Sequence, residues 1–196
     1  KRLREFDAMD FDDLIGNYVQ LLEKNDDIRN ELHERFQHLL IDEYQDTNRA
    51  QYVLIKLLTG PQGNVMAVGD EDQSIYKFRG ADINNILNFE QDFPGAEIVK
   101  LEQNYRSTGN ILDAATGVVS NNVARKGKTL FTDSGSGDPV RIVTCSNERE
   151  EAQFVVEKIN SQRGKMKLSD FAILFRTNAQ SRPFEEELLR ANIPYT

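Results

Sequence analysis

The residues best suited to chemistry lie in Leu39-Leu40-Ile41-Asp42-Glu43. A short apolar run of this kind reads as a buried strand of a parallel sheet, and such sheets gather ligands at the carboxyl ends of their strands. Here the strand delivers two adjacent carboxylates, which is the form of a Walker B motif. An Asp at the tip, Asp42, can hold Mg²⁺ through oxygen, and the next acid, Glu43, can position and deprotonate a water that attacks a γ-phosphate. A strand that merely ends in solvent-facing acids would carry the same residues, so the pentad alone leaves both accounts open. Gly127-Lys128-Thr129 matches the tail of a Walker A loop. The position five before Gly127 is Asn122 rather than Gly, however, and the segment follows a helix instead of a strand, so it is not a phosphate loop. No other G-x-x-x-x-G-K-[ST] occurs.

Regular elements must position these groups. Apolar residues at Phe11, Leu14, Ile15, Tyr18 and Leu22 follow helical spacing, which predicts an amphipathic helix from Asp10 to Asn25. A second helix is expected over residues 27–36, then the strand at 39–41. Asn48 and Gln51 have the spacing of a capping box opening a helix through Leu58. Pro61 and Gly63 mark a turn, and Val65 to Val68 read as another buried strand stopped by Gly69-Asp70. A further helix and a strand at 97–101 follow. The alternation then restarts: a helix over 109–122, a Gly/Ser/Asp linker at 134–138, a strand at 140–144 and a helix opened by Asn147 and Glu150. A strand at 171–175 and a helix led by Ser181 and Pro183 complete the series. Repeated strand and helix implies an α/β fold with parallel sheets and flanking helices, in two halves that divide near residue 101.

Composition bounds the class. The 196 residues are 39% hydrophobic and 29% charged, with only 12 Gly and 5 Pro, which fits a folded soluble protein rather than a disordered one. No apolar run is long enough for a membrane span, and the first ten residues lack a signal-peptide core, so a cytoplasmic protein is expected. One cysteine, Cys145, excludes an internal disulfide and reads as core filler; with only His33 and His38 beside it there is no zinc-ligand pattern. The net charge of −8 argues against nucleic acid at first sight. A local groove matters more than the sum, and basic residues gather at Arg125, Lys126 and Lys128 and at Arg176 and Arg182.

Three longer stretches go further. Asp42-Glu43-Tyr44-Gln45-Asp46-Thr47-Asn48, Val68-Gly69-Asp70-Glu71-Asp72-Gln73-Ser74-Ile75-Tyr76-Lys77-Phe78-Arg79-Gly80-Ala81 and Leu101-Glu102-Gln103-Asn104-Tyr105-Arg106-Ser107 occur in this order. Together they closely resemble the UvrD/Rep/PcrA family of superfamily-one DNA helicases. Residues 172–194, with Phe175-Arg176-Thr177-Asn178-Ala179-Gln180-Ser181-Arg182, resemble it too, so the resemblance covers essentially the whole chain.

The resemblance implies parts of two RecA-like domains of the P-loop NTPase type, residues 1–100 from the first and 101–196 from the second, with ATP and Mg²⁺ bound between them. Asp42 would help hold the metal and Glu43 would be the general base. Gln73 would touch the γ-phosphate, Arg106 would be an arginine finger, and Tyr105 would stack on adenine. Tyr76 and Phe78, beside Lys77 and Arg79, would present rings to DNA bases while the cations meet phosphate or neighbouring acids. Many members carry Trp where this chain has Phe78, and this chain has no Trp. Arg176, Asn178 and Arg182 resemble residues near the DNA backbone, although helix capping and surface pairing account for them almost as well.

In the family the phosphate loop lies N-terminal to everything here and a closing arginine motif lies beyond Thr196, so the chain is expected to be a central piece with little ATPase activity of its own. The parent is expected to translocate 3′ to 5′ on single-stranded DNA and unwind duplex DNA, with repair or replication proteins as further partners. A helicase-like subunit of a nuclease complex and a non-enzymatic module built on the same scaffold are the alternatives.

Overall fold

Helix α1 spans Arg2–Glu5, and the amphipathic segment that follows folds as α2, Phe11–Lys24. Asp10 accepts from the Asp13 amide and Asp13 accepts in return from the Asp10 amide, a reciprocal cap that fixes where α2 starts. The computed structural model describes residues 2–6, 8–122 and 126–196; Arg125, of the basic cluster noted above, lies outside the described residues. Helix α3 (Asp26–Arg35) leads to strand β1 (Leu39–Ile41), and helix α4 (Arg49–Leu58) crosses over to strand β2 (Val65–Ala67). Asn48 and Gln51 cap α4 reciprocally, as their spacing predicts.

Strands β1 and β2 pair in parallel, with Leu39 opposite Val65 and Ile41 opposite Ala67. The ladder runs past the strand ends: the Val68 amide donates to the Ile41 carbonyl at 2.8 Å and the Tyr44 amide to the Val68 carbonyl at 3.0 Å. Helix α2 packs on α4, and Leu22 is fully buried. The expectation that β1 and β2 are buried strands is corrected, because Leu40 is 77% exposed and Met66 58%. Side chains alternate faces along a strand, and among the described residues only the face of Leu39, Ile41, Val65 and Ala67 is partly covered.

Beyond β2 come short helices α5 (Asn84–Leu87) and α6 (Phe89–Asp92), then α7 (Gly109–Val119), α8 (Glu148–Gln162) and α9 (Ser181–Arg190). The strands expected at 97–101, 140–144 and 171–175 do not form among the described residues. A strand exists only through its ladder; Phe171 and Ile173 pack on the core of α8 and α9, but Leu101 is 76%, Ile142 95% and Leu174 93% exposed. The fold is therefore mixed helix and strand with a small parallel sheet. No helix among the described residues is long and apolar enough to cross a membrane.

Residues 1–139 and 140–196 form separate compact units. In the second, α8 packs on α9 around Val156, Ile159, Leu188 and Ile193. Cys145 is half-buried and stands outside that cluster.

Candidate functional site

The chain reverses sharply after β1. Glu43 adopts φ 49° and ψ 44°, the left-handed region that non-glycine residues seldom occupy and that costs of order 1 kcal/mol or more. Three contacts hold it there. The Glu43 amide donates to Asp42 Oδ1 at 2.9 Å, the following Tyr44 amide is tied to Val68, and Gln45 Nε2 donates to Glu43 Oε2 at 2.7 Å. The two acids are exposed at the carboxyl end of β1, whereas Gln45 is only 1% exposed.

Gln45 also reaches the end of β2. Its Oε1 accepts from the Asp70 amide at 3.0 Å, and its backbone carbonyl accepts from Ser74 Oγ at 3.2 Å. Gly69 makes this approach achievable: a Cβ there would lie 2.5 Å from Gln45 Oε1 and 2.9 Å from Ile86 Cδ1. Asp70 then opens a short 3-10 turn, Glu71–Gln73, accepting from the Asp72 amide at 3.0 Å through Oδ1 and from Gln73 Nε2 at 2.8 Å through Oδ2. Burial alone would raise the Asp70 carboxyl. Hydrogen bonds from Lys128, Gln73 and the Asp72 amide outweigh it and hold the group below its ordinary value. Hydrogen bonds thus run from Glu43 through the Gln45 side chain to the Asp70 backbone amide, and from the Asp70 carboxylate to Gln73.

Family models match both parts of the chain. The UvrD/REP helicase N-terminal domain matches residues 1–94, and the UvrD-like helicase C-terminal domain matches residues 99–196. The chain belongs to the UvrD/REP helicase family. It is 50% identical over 197 aligned positions to the ATP-dependent DNA helicase PcrA of Staphylococcus epidermidis and 49% identical to that of Staphylococcus aureus strain COL, in both cases across 100% of this chain. It spans about 27% of the length of these relatives.

In this UvrD/REP chain, Tyr105 and Arg106 sit on a second exposed turn. Asn104 Oδ1 accepts from the amides of Arg106 (3.0 Å) and Ser107 (2.8 Å), and Tyr105 Oη donates to Gln103 Oε1 at 2.7 Å, with Gln103 Nε2 in turn on Asp133. Among the described residues, no hydrogen bond or ion pair joins the Arg106 side chain to Asp42, Glu43 or Gln73.

Tyr76 precedes a 3-10 turn, Lys77–Arg79, that holds Phe78 at its centre and that Gly80 closes at φ 89°. Their ring centroids are 6.0 Å apart, and the Arg79 guanidinium lies over both, 5.1 Å from the Tyr76 centroid and 5.4 Å from that of Phe78. Phe78 is 74% exposed, so this pair is not core. Arg79 is thereby engaged with the rings themselves, a cation–π contact of about 0.5–1 kcal/mol at an exposed site. In the second unit, the amides of Arg176 and Thr177 both donate to Gln180 Oε1, Asn178 opens the short turn before α9, and Arg182 pairs with Glu186 at 3.1 Å.

Two residues of the site have no role in the sequence reading. Gln45 is one; a polar residue two places after an acid that must be oriented is its only sequence signal. Lys128 is the other, since its Nζ stands 2.5 Å from Asp70 Oδ1. The acid run Asp70-Glu71-Asp72 hints that some cation answers it, without indicating which.

Proposed function

We propose that this chain is the central piece of an ATP-driven DNA helicase, residues 1–100 belonging to a first RecA-like motor domain and 101–196 to a second. The observation that carries the reading is the hydrogen-bonded chain from Glu43 through Gln45 and Asp70 to Gln73. A motor must register its nucleotide and its water-activating acid together, and this chain supports such coupling. Glu43 is the general base, Gln73 contacts the γ-phosphate, Arg106 is the arginine finger and Tyr105 stacks on adenine. Asp42 fits Mg²⁺: it offers hard carboxylate oxygens, and among the described residues its Oδ2 takes no hydrogen bond. Mg²⁺ commonly needs only one or two carboxylates besides phosphate and water. Bound there, the ion would offset phosphate charge.

Tyr76, Phe78 and Arg79 form the base-stacking platform, where each stacked base contributes roughly 1–3 kcal/mol whatever its identity. Arg176 and Asn178 contact the DNA backbone. Because the platform follows Gln73 within six residues, a nucleotide-dependent shift of that turn changes the grip on a single strand. Translocation 3′ to 5′ and duplex unwinding in DNA repair or replication complete the reading.

Single-strand-stimulated ATP hydrolysis in a longer chain that restores the upstream loop tests this. Glu43→Gln should lower kcat by about 10²-fold or more, and Arg106→Ala by roughly 10³-fold or more. Full activity in both variants would overturn the assignment.

A further inference from the structure

The segment that imitates a Walker A tail is built into the site in another way. Asn122 Nδ2 donates to Asp72 Oδ1 at 3.1 Å, the Lys126 amide to Glu71 Oε1 at 3.0 Å, and Lys126 Nζ to Glu90 Oε2 at 2.9 Å. Lys128 reaches furthest in. Its Nζ pairs with Asp70 Oδ1, and with side-chain exposures of 19% and 22% the two groups are far more enclosed than an ordinary surface pair. The next residues run to the other turn: the Thr129 amide donates to Glu102 Oε1 at 2.9 Å, and Phe131 pairs through its backbone with Glu102 and Asn104, just before Tyr105 and Arg106.

We infer that Lys128 is a positioning residue for nucleotide sensing, acting through Asp70 to set how firmly the Gln73 amide is held. Asp70 accepts from both groups, one on each carboxylate oxygen. The Gln73 Nε2 carries two protons, and the one held by Asp70 fixes where the other points, so the strength of that hold sets how freely the amide can turn toward a γ-phosphate. The ammonium of Lys128 draws on the same carboxylate and weakens its hold on Gln73. It also offsets a negative charge that would otherwise stand one short turn from a triphosphate. Without Lys128, Asp70 would bind Gln73 more tightly and repel the nucleotide. This inference rests on the reading of Gln73 as the γ-phosphate contact.

The test is single-strand-stimulated ATP hydrolysis by the full-length helicase that contains this segment. Gln73→Ala serves as reference, beside Lys128→Met, Lys128→Arg, Asp70→Asn and the double variants that combine Lys128→Met with Asp70→Asn or with Gln73→Ala. Lys128→Met should lower kcat about tenfold, the effect of losing one charge-assisted contact. Lys128→Arg should keep it, and the double variant with Asp70→Asn should recover to within about threefold of the parent, because the uncompensated carboxylate is gone. A merely structural lysine would give no such recovery. If Lys128→Met does not fold, the Lys128→Arg and Asp70→Asn single variants decide: full activity in the former with a changed kcat in the latter supports the role, and the reverse overturns it. A drop in Gln73→Ala with none in Lys128→Met, or independent multiplying losses in the Gln73→Ala, Lys128→Met pair, overturns the inference and leaves the Gln73 reading standing. No loss in Gln73→Ala would instead remove the reading beneath it.

Discussion

Replacing Gln45 by Leu should separate the candidate base from the end of β2. The side chain is 1% exposed and makes two hydrogen bonds, one to the Glu43 carboxylate and one from the Asp70 amide. The bond to Glu43 is charge-assisted, but Glu43 is exposed and water can replace it, so its loss costs toward the lower end of about 1.5–3 kcal/mol. The Asp70 amide is less accessible, and leaving it without a partner adds about 1–3 kcal/mol. Leu retains some apolar packing, so the net loss is about 2–4 kcal/mol. For a chain of this size that lowers Tm by roughly 5 to 15 °C. Thermal and urea unfolding of the 196-residue chain measure it directly. Gln45→Glu sharpens the argument, because it sets a second carboxyl against Glu43 Oε2. Two carboxylates so close share a proton, which raises the folded-state pKa of the pair. The variant's deficit should therefore be smallest below about pH 4 and grow as pH rises through the raised value. A Gln45→Leu melt within about 1 °C of the parent, with a Gln45→Glu deficit that is flat in pH, would refute the reasoning.

Tyr44 gives a prediction at the alkaline end. Its hydroxyl is buried without a partner among the described residues, and burial first, then the charges of Asp92 and Tyr52, push its pKa up to about 12. The folded state thus favours the neutral phenol. That contribution is whole below the unfolded value near pH 10 and is lost as pH rises toward 12, about 2–3 kcal/mol in full. Tyr44→Phe should abolish this limb in urea unfolding at rising pH and leave neutral stability equal or higher, since an unsatisfied hydroxyl is removed; a variant with an unchanged alkaline limb refutes the assignment. At Gly69 the added methyl of Gly69→Ala would collide with Gln45 Oε1 and Ile86. It should destabilise by about 1–3 kcal/mol, and combined with Gln45→Leu its cost should fall well short of the sum, as a double-mutant cycle in urea would show.

How much could be read in advance follows from which interactions are local. The cap at Asn48 and Gln51 is a three-residue relationship, and it forms as its spacing predicts. Asn147, at the start of α8, likewise accepts from the Arg149 and Glu150 amides. The pair β1 and β2 was legible because an apolar run, a helix and a second apolar run make one crossover unit. The segments at 140–144 and 171–175 are also rich in strand-forming residues, yet Ile142 and Leu174 remain almost wholly exposed because no ladder neighbour exists among the described residues. Composition specifies that a segment can be a strand; only a partner makes it one. The adjacency of Asp42 and Glu43 was equally plain, but the left-handed turn at Glu43 was not, since no glycine or asparagine marks it. The ring contacts of Arg79 were no more legible: the sequence offers that cation to phosphate or to neighbouring acids, and the fold lays it across Tyr76 and Phe78.

The strain at Glu43 explains why these non-local contacts take the form they do. A left-handed glutamate persists only where its surroundings over-determine it, and each restraint here comes from a different place: Asp42 beside it, Val68 across the sheet and buried Gln45. Gln45 can serve because Gly69 lets it pass and the Asp70 amide receives its far end. The carboxyl ends of β1 and β2 are thereby locked to one another by a side chain rather than by the two short strands alone. Any displacement of the Gln73 turn must then act on Asp70 and, through Gln45, on Glu43. The central link of the coupling is a buried, uncharged amide, so at neutral pH it should survive salt that screens the exposed ion pairs around it.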